Sequence, residues 1–252
     1  MPTVLLVRHG RTTANASGVL AGWSPGVGLD EHGRSQVQGL AARMVAAGLT
    51  ISRVVSSPLQ RCQETAEILV DALTPSLSVD FDDRLGECRY GAWTGRKLSE
   101  LAKEDLWRVV QDQPSAARFP DGEDFPGESM SAMQSRALEV VREVDAHLAN
   151  GSGAQAIWLA VSHGDVIKAI LADAAGAHLD QFQRIQVDPA SVSAVRYTAR
   201  RPFLLRSNDT GGELGSLIPP APPDVASDAQ PDAGDAAVGG GAGAEPASSS
   251  VG

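Results

Sequence analysis

Two continuous apolar runs are the clearest feature of the hydrophobic pattern, one at residues 4–7 and the other at residues 157–161. An uninterrupted run of this length beside a turn signal is typical of a strand buried on both faces of a parallel sheet. Shorter runs predict further strands at residues 51–55, 77–81, 182–187, 192–197 and 203–206. The turn at residues 188–191 predicts that two of these strands form a hairpin.

Between these runs the apolar residues recur every three or four positions, which predicts amphipathic helices. Asp30 can cap the first helix and Gly48 can end it. A second helix begins at Ser57-Pro58 and ends before Pro75. Three more helices are predicted over residues 98–110, 130–151 and 165–174. Strands alternating with helices predict an α/β fold, here a three-layer αβα sandwich with a mostly parallel central sheet.

The composition changes abruptly at Gly211, after which Gly, Ala, Pro, Ser and Asp dominate and aromatic residues are missing. Such a segment buries too little surface to offset its ordering entropy. We therefore predict one globular domain over residues 1–210 and a disordered acidic tail over residues 211–252.

Much of the formal net charge of −10 belongs to this tail, because six acidic residues and no Lys or Arg follow Gly211. An acidic chain is a poor general binder of nucleic acids or anionic membranes, so neither is expected as a partner. No apolar run is long enough to predict a transmembrane helix, and no signal-peptide pattern precedes the first strand. The expected location is the cytoplasm, where Cys62 and Cys88 would be buried thiols.

Histidines stand directly after both continuous apolar runs, in the triplets Arg8-His9-Gly10 and Ser162-His163-Gly164. Open α/β sheets bind ligands at the carboxyl ends of their strands, so these side chains are expected at one crevice. Arg61 follows the second predicted strand, and Glu87 follows the third.

These residue types suit phosphoryl transfer. The guanidinium groups of Arg8 and Arg61 can each hold two phosphate oxygens. Neutral His9 is a nucleophile that can form a phosphohistidine, while His163 and Asn15 can donate hydrogen bonds to the phosphate. Glu87 can protonate the leaving alkoxide if burial raises its pKa. Taken singly, each has an ordinary structural explanation, such as a turn histidine or a loop carboxylate.

The same motifs, in the same order, resemble the histidine phosphatase superfamily, specifically its phosphoglycerate-mutase-like branch and a group there labelled probable phosphomutase. The resemblance covers residues 3–209. It implies that His9 is phosphorylated, that Arg8, Arg61, His163 and Asn15 hold the phosphate, and that Glu87 donates the proton. It further implies a metal-independent reaction without a cofactor. Gly22, Tyr90, Lys97 and Gly164 fall near positions that touch substrate in this family.

Three functions remain open on this resemblance: a phosphomonoesterase for a small phosphorylated metabolite, a phosphoglycerate-type phosphomutase, and a non-catalytic phospholigand-binding protein. The predicted lid, residues 92–127, lacks the tandem basic pair of true bisphosphoglycerate-dependent mutases and carries four aromatic residues. This favours a phosphatase whose substrate has a sizeable, less charged body. The aromatic residues could equally belong to the core, with Trp107 on the apolar face of a helix. The oligomeric state is open, with a homodimer among the alternatives.

Overall fold

A computed structural model describes residues 1–151, 155–212 and 237–241 of the chain. Within these residues a six-stranded mixed sheet has the order β3-β2-β4-β1-β5-β6. The strands are β1 (Thr3–Arg8), β2 (Arg53–Ser56), β3 (Val79–Phe81), β4 (Ile157–Ser162), β5 (Val192–Tyr197) and β6 (Pro202–Asp209). The first four run parallel to one another, and β5 and β6 continue the sheet in antiparallel pairing. The predicted α/β fold with a mostly parallel sheet is confirmed.

Helices cover both faces of this sheet. They are α1 (Thr13–Ala16), α2 (Glu31–Ala46), α3 (Gln60–Leu73), α4 (Leu98–Leu101), α5 (Asp105–Asp112), α6 (Met130–Gly151) and α7 (Gly164–Ala174). Because side chains alternate along a strand, Leu5 and Val7 of β1 pack with α2 and α3, whereas Val4 and Leu6 pack with α6 and α7. The two resulting cores make the molecule a three-layer sandwich.

Two predicted elements differ from the structure. The helix predicted over residues 98–110 is broken into α4 and α5. Glu104 lies at the break, and its side chain accepts a hydrogen bond from Trp93 Nε1 at 2.7 Å and pairs with Arg96 at 2.6 Å. These side-chain partners hold the backbone of Glu104 in an extended conformation, which ends one helix and begins the next.

The strand predicted over residues 182–187 is wrong. Leu179–Arg184 is a 3-10 helix whose Leu179 and Phe182 are buried in the core, a spacing of three that suits this tighter helix. The hairpin of the sheet is instead formed by β5 and β6, so the predicted last strand at residues 203–206 is confirmed as part of β6.

None of the helices within the described part of the chain combines the length and the apolar character that crossing a membrane requires.

Candidate active site

The site lies where β1 and β4 end side by side. The parallel register pairs Arg8 with Ser162, so the next residues, His9 and His163, emerge next to each other. Their ring centroids are 5.2 Å apart in an edge-to-face arrangement, and both side chains are buried. The structure thus brings together two histidines that the sequence separates widely.

The imidazole of His9 is held in one tautomer. Its Nδ1 lies 2.7 Å from the carbonyl oxygen of Gly10, and only a protonated Nδ1 can donate to that oxygen. Burial lowers the pKa of His9 well below its usual range, and the positive charges of Arg61 and Arg8 lower it further. At neutral pH the ring is therefore uncharged, and its Nε2 carries a free lone pair.

The loop after β1 is fixed from two sides. The backbone N–H of Gly10 donates to Thr65 Oγ1 at 3.2 Å, and the Thr65 hydroxyl donates to the Arg61 carbonyl at 2.7 Å. On the other side, the backbone of Gly33 in α2 approaches so closely that a Cβ on Gly10 would lie 2.5 Å from the Gly33 carbonyl oxygen. The nucleophile is consequently anchored by α2 and α3.

Two buried guanidinium groups flank His9. Arg61, in the first turn of α3, donates from Nη2 to the Gly22 carbonyl at 2.8 Å and to His163 Nδ1 at 3.2 Å. Its Nη1 is buried and has no hydrogen-bond partner among the described residues, which leaves a donor that an anion would satisfy. Burial lowers the pKa of Arg8 to about 10, so Arg8 remains charged at neutral pH.

His163 is also neutral. Burial lowers its pKa well below the usual range, and Arg61 acts in the same direction. Since Nδ1 accepts from Arg61, Nε2 carries the hydrogen and donates to Ser57 Oγ at 2.8 Å. The Cys62 sulfur lies 3.4 Å from the same Nε2, but burial raises the pKa of this thiol to about 12, so it is no nucleophile.

Glu87 faces this cluster, with Oε2 3.7 Å from His163 Nδ1. Burial raises the pKa of Glu87 to about 7, and the charge of Asp165 contributes in the same direction. A carboxyl group with this pKa holds a proton in much of the population at neutral pH and can act as a general acid. Because His163 is neutral as well, the pair is not an ion pair despite its short separation.

The loop that carries Glu87 is held by its backbone. Arg136 of α6 donates to the carbonyls of Arg84, Gly86 and Glu87 at 2.7, 2.8 and 2.9 Å. Trp23 Nε1 also donates to the Glu87 carbonyl, at 2.6 Å. Neither Arg136 nor Trp23 was predicted as a site residue, since their contacts are to main-chain atoms and no motif marks them.

The remaining predicted residues are placed as follows. Asn15 lines the cavity, and its Oδ1 accepts from the Thr12 hydroxyl at 2.8 Å in the cap of α1. Gly22 lines the cavity too, whereas Gly164 is buried at the start of α7. Tyr90 is fully buried and donates to Asp165 at 2.8 Å, and Lys97 is exposed outside the cavity lining.

Asp165 is a central polar residue that the sequence presented only as an ordinary helix-start residue. It is completely buried in the first turn of α7. Its Oδ2 accepts from the Tyr90 hydroxyl and, at 3.0 Å, from the backbone N–H of Gly239. Its position directly after His163-Gly164 was the available signal, but burial is not visible in a sequence.

The predicted disordered tail falls largely outside the described residues, which include 211–212 and 237–241 of it. For residues 237–241 the structure corrects the prediction: a 3-10 turn, Val238–Gly240, lies in the site, and the glycine carbonyls accept from Arg8. The average composition of the tail predicts little burial for the tail as a whole. It does not detect a short segment in which one side chain, that of Val238, is buried.

Arg61 is the one cation among the described residues that line the cavity. These residues are His9, Thr12, Asn15, Val19, Leu20, Ala21, Gly22, Arg61, Glu87, Leu98, Val238, Gly239 and Gly241. Three of the four aromatic residues of the predicted lid, namely Trp93, Trp107 and Phe119, are instead buried in the core. For these three residues the structure favours the alternative that they belong to the core: Trp93 stacks on Trp107 and meets Phe119 edge to face.

Comparison with known proteins agrees with this arrangement. The family model of the histidine phosphatase superfamily (branch 1) matches residues 4–210. A relative from Erwinia tasmaniensis, described as a probable phosphoglycerate mutase GpmB, is 34% identical over 86% of this chain and 95% of its own.

Solved structures share the fold. YhfR of Bacillus stearothermophilus superposes with a TM-score of 0.71 at 25% identity, covering 83% of this chain and 98% of its own. A putative alpha-ribazole-5'-P phosphatase from Escherichia coli superposes with a TM-score of 0.68 at 25% identity, covering 82% of this chain and 96% of its own.

Proposed function

Because the chain belongs to the histidine phosphatase superfamily, branch 1, we propose that it is a phosphomonoesterase acting on a small phosphorylated metabolite. The neutral Nε2 of His9 attacks the phosphorus atom, and the bond between phosphorus and the ester oxygen breaks. The electron pair stays on that oxygen, which takes the proton of Glu87. Arg8, Arg61 and Asn15 hold the equatorial oxygens, whose negative charge the transition state spreads. His163 joins them in the tautomer that carries its hydrogen on Nδ1, once a phosphate oxygen has replaced His163 as the partner of Arg61.

Water completes the cycle. The Glu87 carboxylate takes a proton from a water molecule whose oxygen attacks the phosphohistidine. The phosphorus–nitrogen bond breaks, its electron pair returns to Nε2, and inorganic phosphate leaves. Each of these steps uses side chains of this chain alone, so we expect the reaction to need neither a metal ion nor a cofactor.

The residues that line the cavity support hydrolysis over isomerisation. A phosphoglycerate mutase must hold a substrate with a second anionic group. Arg61 is the one cation in the described lining. The other side chains there that carry charge or polar atoms are those of His9, Thr12, Asn15 and Glu87, and those of Val19, Leu20, Ala21 and Leu98 are apolar. A second anion there would be desolvated without a cation, which is costly. This supports a monoester whose organic part carries little charge.

A phosphomutase is the second candidate, because the relative at 34% identity is described as a probable phosphoglycerate mutase. It would use the same phosphohistidine and return the phosphoryl group to another hydroxyl of the substrate.

The thiols of Cys62 and Cys88 are buried and neutral, which is compatible with the reducing cytosol that we propose as the location of the protein.

Phosphorus-31 NMR with a panel of phosphate monoesters tests both candidates, with 3-phosphoglycerate and its bisphosphate primer included. We expect inorganic phosphate to accumulate with wild type and not with His9→Ala. His147→Ala is the matched control, because His147 is exposed on α6, and it should retain wild-type activity. Migration of the ester signal without free phosphate would establish the mutase, and identical spectra for His9→Ala and wild type would exclude both. Activity that persists in excess EDTA would support independence from metal ions.

A further inference from the structure

Residues 237–241 lie against Arg8, one of the two arginines proposed to hold the phosphate. Three successive backbone carbonyls point at the guanidinium of Arg8: the Gly240 oxygen lies 2.5 Å from Nη1, and the Gly241 and Gly239 oxygens lie 2.6 and 3.2 Å from Nη2. The two terminal nitrogens of Arg8 thus receive oxygen acceptors in the manner in which they would receive phosphate oxygens.

The main-chain shape of this segment depends on glycine. Gly239, Gly240 and Gly241 have φ angles of +74°, +78° and +57°, in the left-handed region that side chains disfavour. Space is equally limited: a Cβ on Gly240 would lie 3.0 Å from Arg8 Nη1. Among the residues that face the segment, a Cβ on Gly164 would lie 3.0 Å from the Gly239 oxygen.

One side chain and one hydrogen bond anchor the segment. Val238 is only 1% exposed and belongs to the main core cluster. The Gly239 N–H donates to Asp165 Oδ2 at 3.0 Å. With the segment in place, the cavity beside His9 retains about 20 Å³, roughly the room that one ordered water needs and too little for a phosphate ester.

We infer that residues 237–241 are an intramolecular inhibitor that competes with phosphate esters for Arg8. The inference rests on the proposed function, because the site being blocked is the one proposed to bind the phosphoryl group. A charged phosphate makes stronger hydrogen bonds to a guanidinium than neutral carbonyls do, so a substrate can displace the segment. Because both competitors belong to one molecule, the inhibition is independent of protein concentration.

This arrangement has a kinetic signature. If only a fraction of molecules has an open site, the apparent dissociation constant of any phosphate ligand is the intrinsic constant divided by that fraction. Opening the site should therefore lower KM and the dissociation constant of inorganic phosphate by the same factor. The value of kcat should not change, since a saturating substrate already excludes the segment.

Two variants of the full chain displace residues 237–241 from Arg8 in different ways. Val238→Ser removes the apolar anchor, and Gly240→Val introduces a branched side chain at a positive φ beside Arg8. The matched controls make the same changes elsewhere in the tail, at Val225→Ser and Gly234→Val. Inorganic phosphate binding is measured by titration calorimetry, and KM and kcat are measured on the best substrate of the NMR panel.

We expect Val238→Ser and Gly240→Val to bind inorganic phosphate about fivefold or more tightly than wild type, and to have a KM lower by a similar factor. The two control variants should have the phosphate affinity and KM of wild type. Unchanged or weaker phosphate binding in both variants would overturn the inference, as would a loss of kcat, which would make the segment part of the working site. Tighter binding without turnover in any protein would refute the proposed phosphatase and leave the inhibition standing. Turnover with unchanged binding of inorganic phosphate would support the proposed phosphatase and refute the inhibition.

Discussion

At the residue scale, burial shifts the pKa values of His9 and Glu87 in opposite directions. Burial lowers the pKa of His9 well below its usual range and raises that of Glu87 to about 7. One buried environment thus favours the neutral form of both groups, which provides a lone pair on the nucleophile and a proton on the acid.

This opposition predicts the pH profile of kcat/KM, which reports ionisations of the free enzyme. Protonation of His9 should remove activity only well below pH 6.5, whereas loss of the Glu87 proton should lower kcat/KM above about pH 7. The measurement is a profile between about pH 5 and 9 for wild type and for Glu87→Gln. A limb near pH 7 that persists in Glu87→Gln would assign it to another group.

The role of Glu87 as proton donor predicts an effect that depends on the leaving group. For an alkyl phosphate, whose alkoxide needs a proton, Glu87→Gln should lower kcat by about 10²–10⁴. With p-nitrophenyl phosphate, whose leaving group departs unprotonated, the first turnover should slow by less than about tenfold. Rapid-quench or stopped-flow measurement of the first turnover checks this. Equal losses on both substrates would indicate that Glu87 acts only by shaping the pocket.

At the scale of elements, the crossing of the β1 loop over α2 positions His9. A Cβ on Gly33 would overlap the backbone of Arg11, whereas a Cβ on Gly39, in the same helix, would meet no atom within 4 Å. The two glycines therefore serve different purposes, although both lie inside α2.

We expect Gly33→Ala to destabilise the fold by about 1–3 kcal/mol, because the loop must move to relieve the overlap, and to lower kcat as His9 shifts. Gly39→Ala is the matched control and should stabilise the protein by about 0.5–1 kcal/mol through the higher helix propensity of alanine. Urea unfolding and steady-state kinetics on both variants check this. Equal stability of the two variants would show that the close crossing is dispensable.

Some of these elements can be predicted from local signals in the sequence, and others cannot. The buried strands β1 and β4, the helices α2, α6 and α7, and the strand-end histidines follow from periodicity and turn residues, which are local signals. The break between α4 and α5 depends on the partners of Glu104, and the 3-10 helix at Leu179–Arg184 depends on the core that Phe182 enters. The partners of Glu104 lie 8 and 11 residues before it and Phe182 packs against a distant core, so the helical and strand periodicities reveal neither feature.

At the scale of the whole molecule, the raised pKa of Glu87 carries a stability cost. Since the folded-state pKa of about 7 exceeds the ordinary value of 4.5, the unfolded chain binds fewer protons between these values, and folding stability falls as pH rises through them. Above pH 7 the folded protein must bury the carboxylate. The lowered pKa values of His9 and His163 act in the other direction, below pH 6.5.

Glu87→Gln should therefore be more stable than wild type by up to about 3 kcal/mol at pH 8 and by less than about 1 kcal/mol at pH 5. The contributions of the two histidines are the same in both proteins and cancel in the comparison. Urea unfolding at the two pH values measures the difference. Glu67→Gln, exposed on α3, is the control and should show little change at either pH. A gain of equal size at both pH values would contradict ionisation as its cause.

The pairing of β1 with β4 also has a consequence for how the chain folds. During synthesis, Arg8 and His9 are made well before β4 and His163, and Arg8 also contacts Val187, 179 residues further along the chain. Pairing of such distant segments must overcome loop-closure entropy, which slows folding. A nascent chain that has not yet produced β4 therefore lacks the pocket altogether. We expect the ability to take up a phosphoryl group to arise in one late, cooperative step, when the middle of the sheet closes.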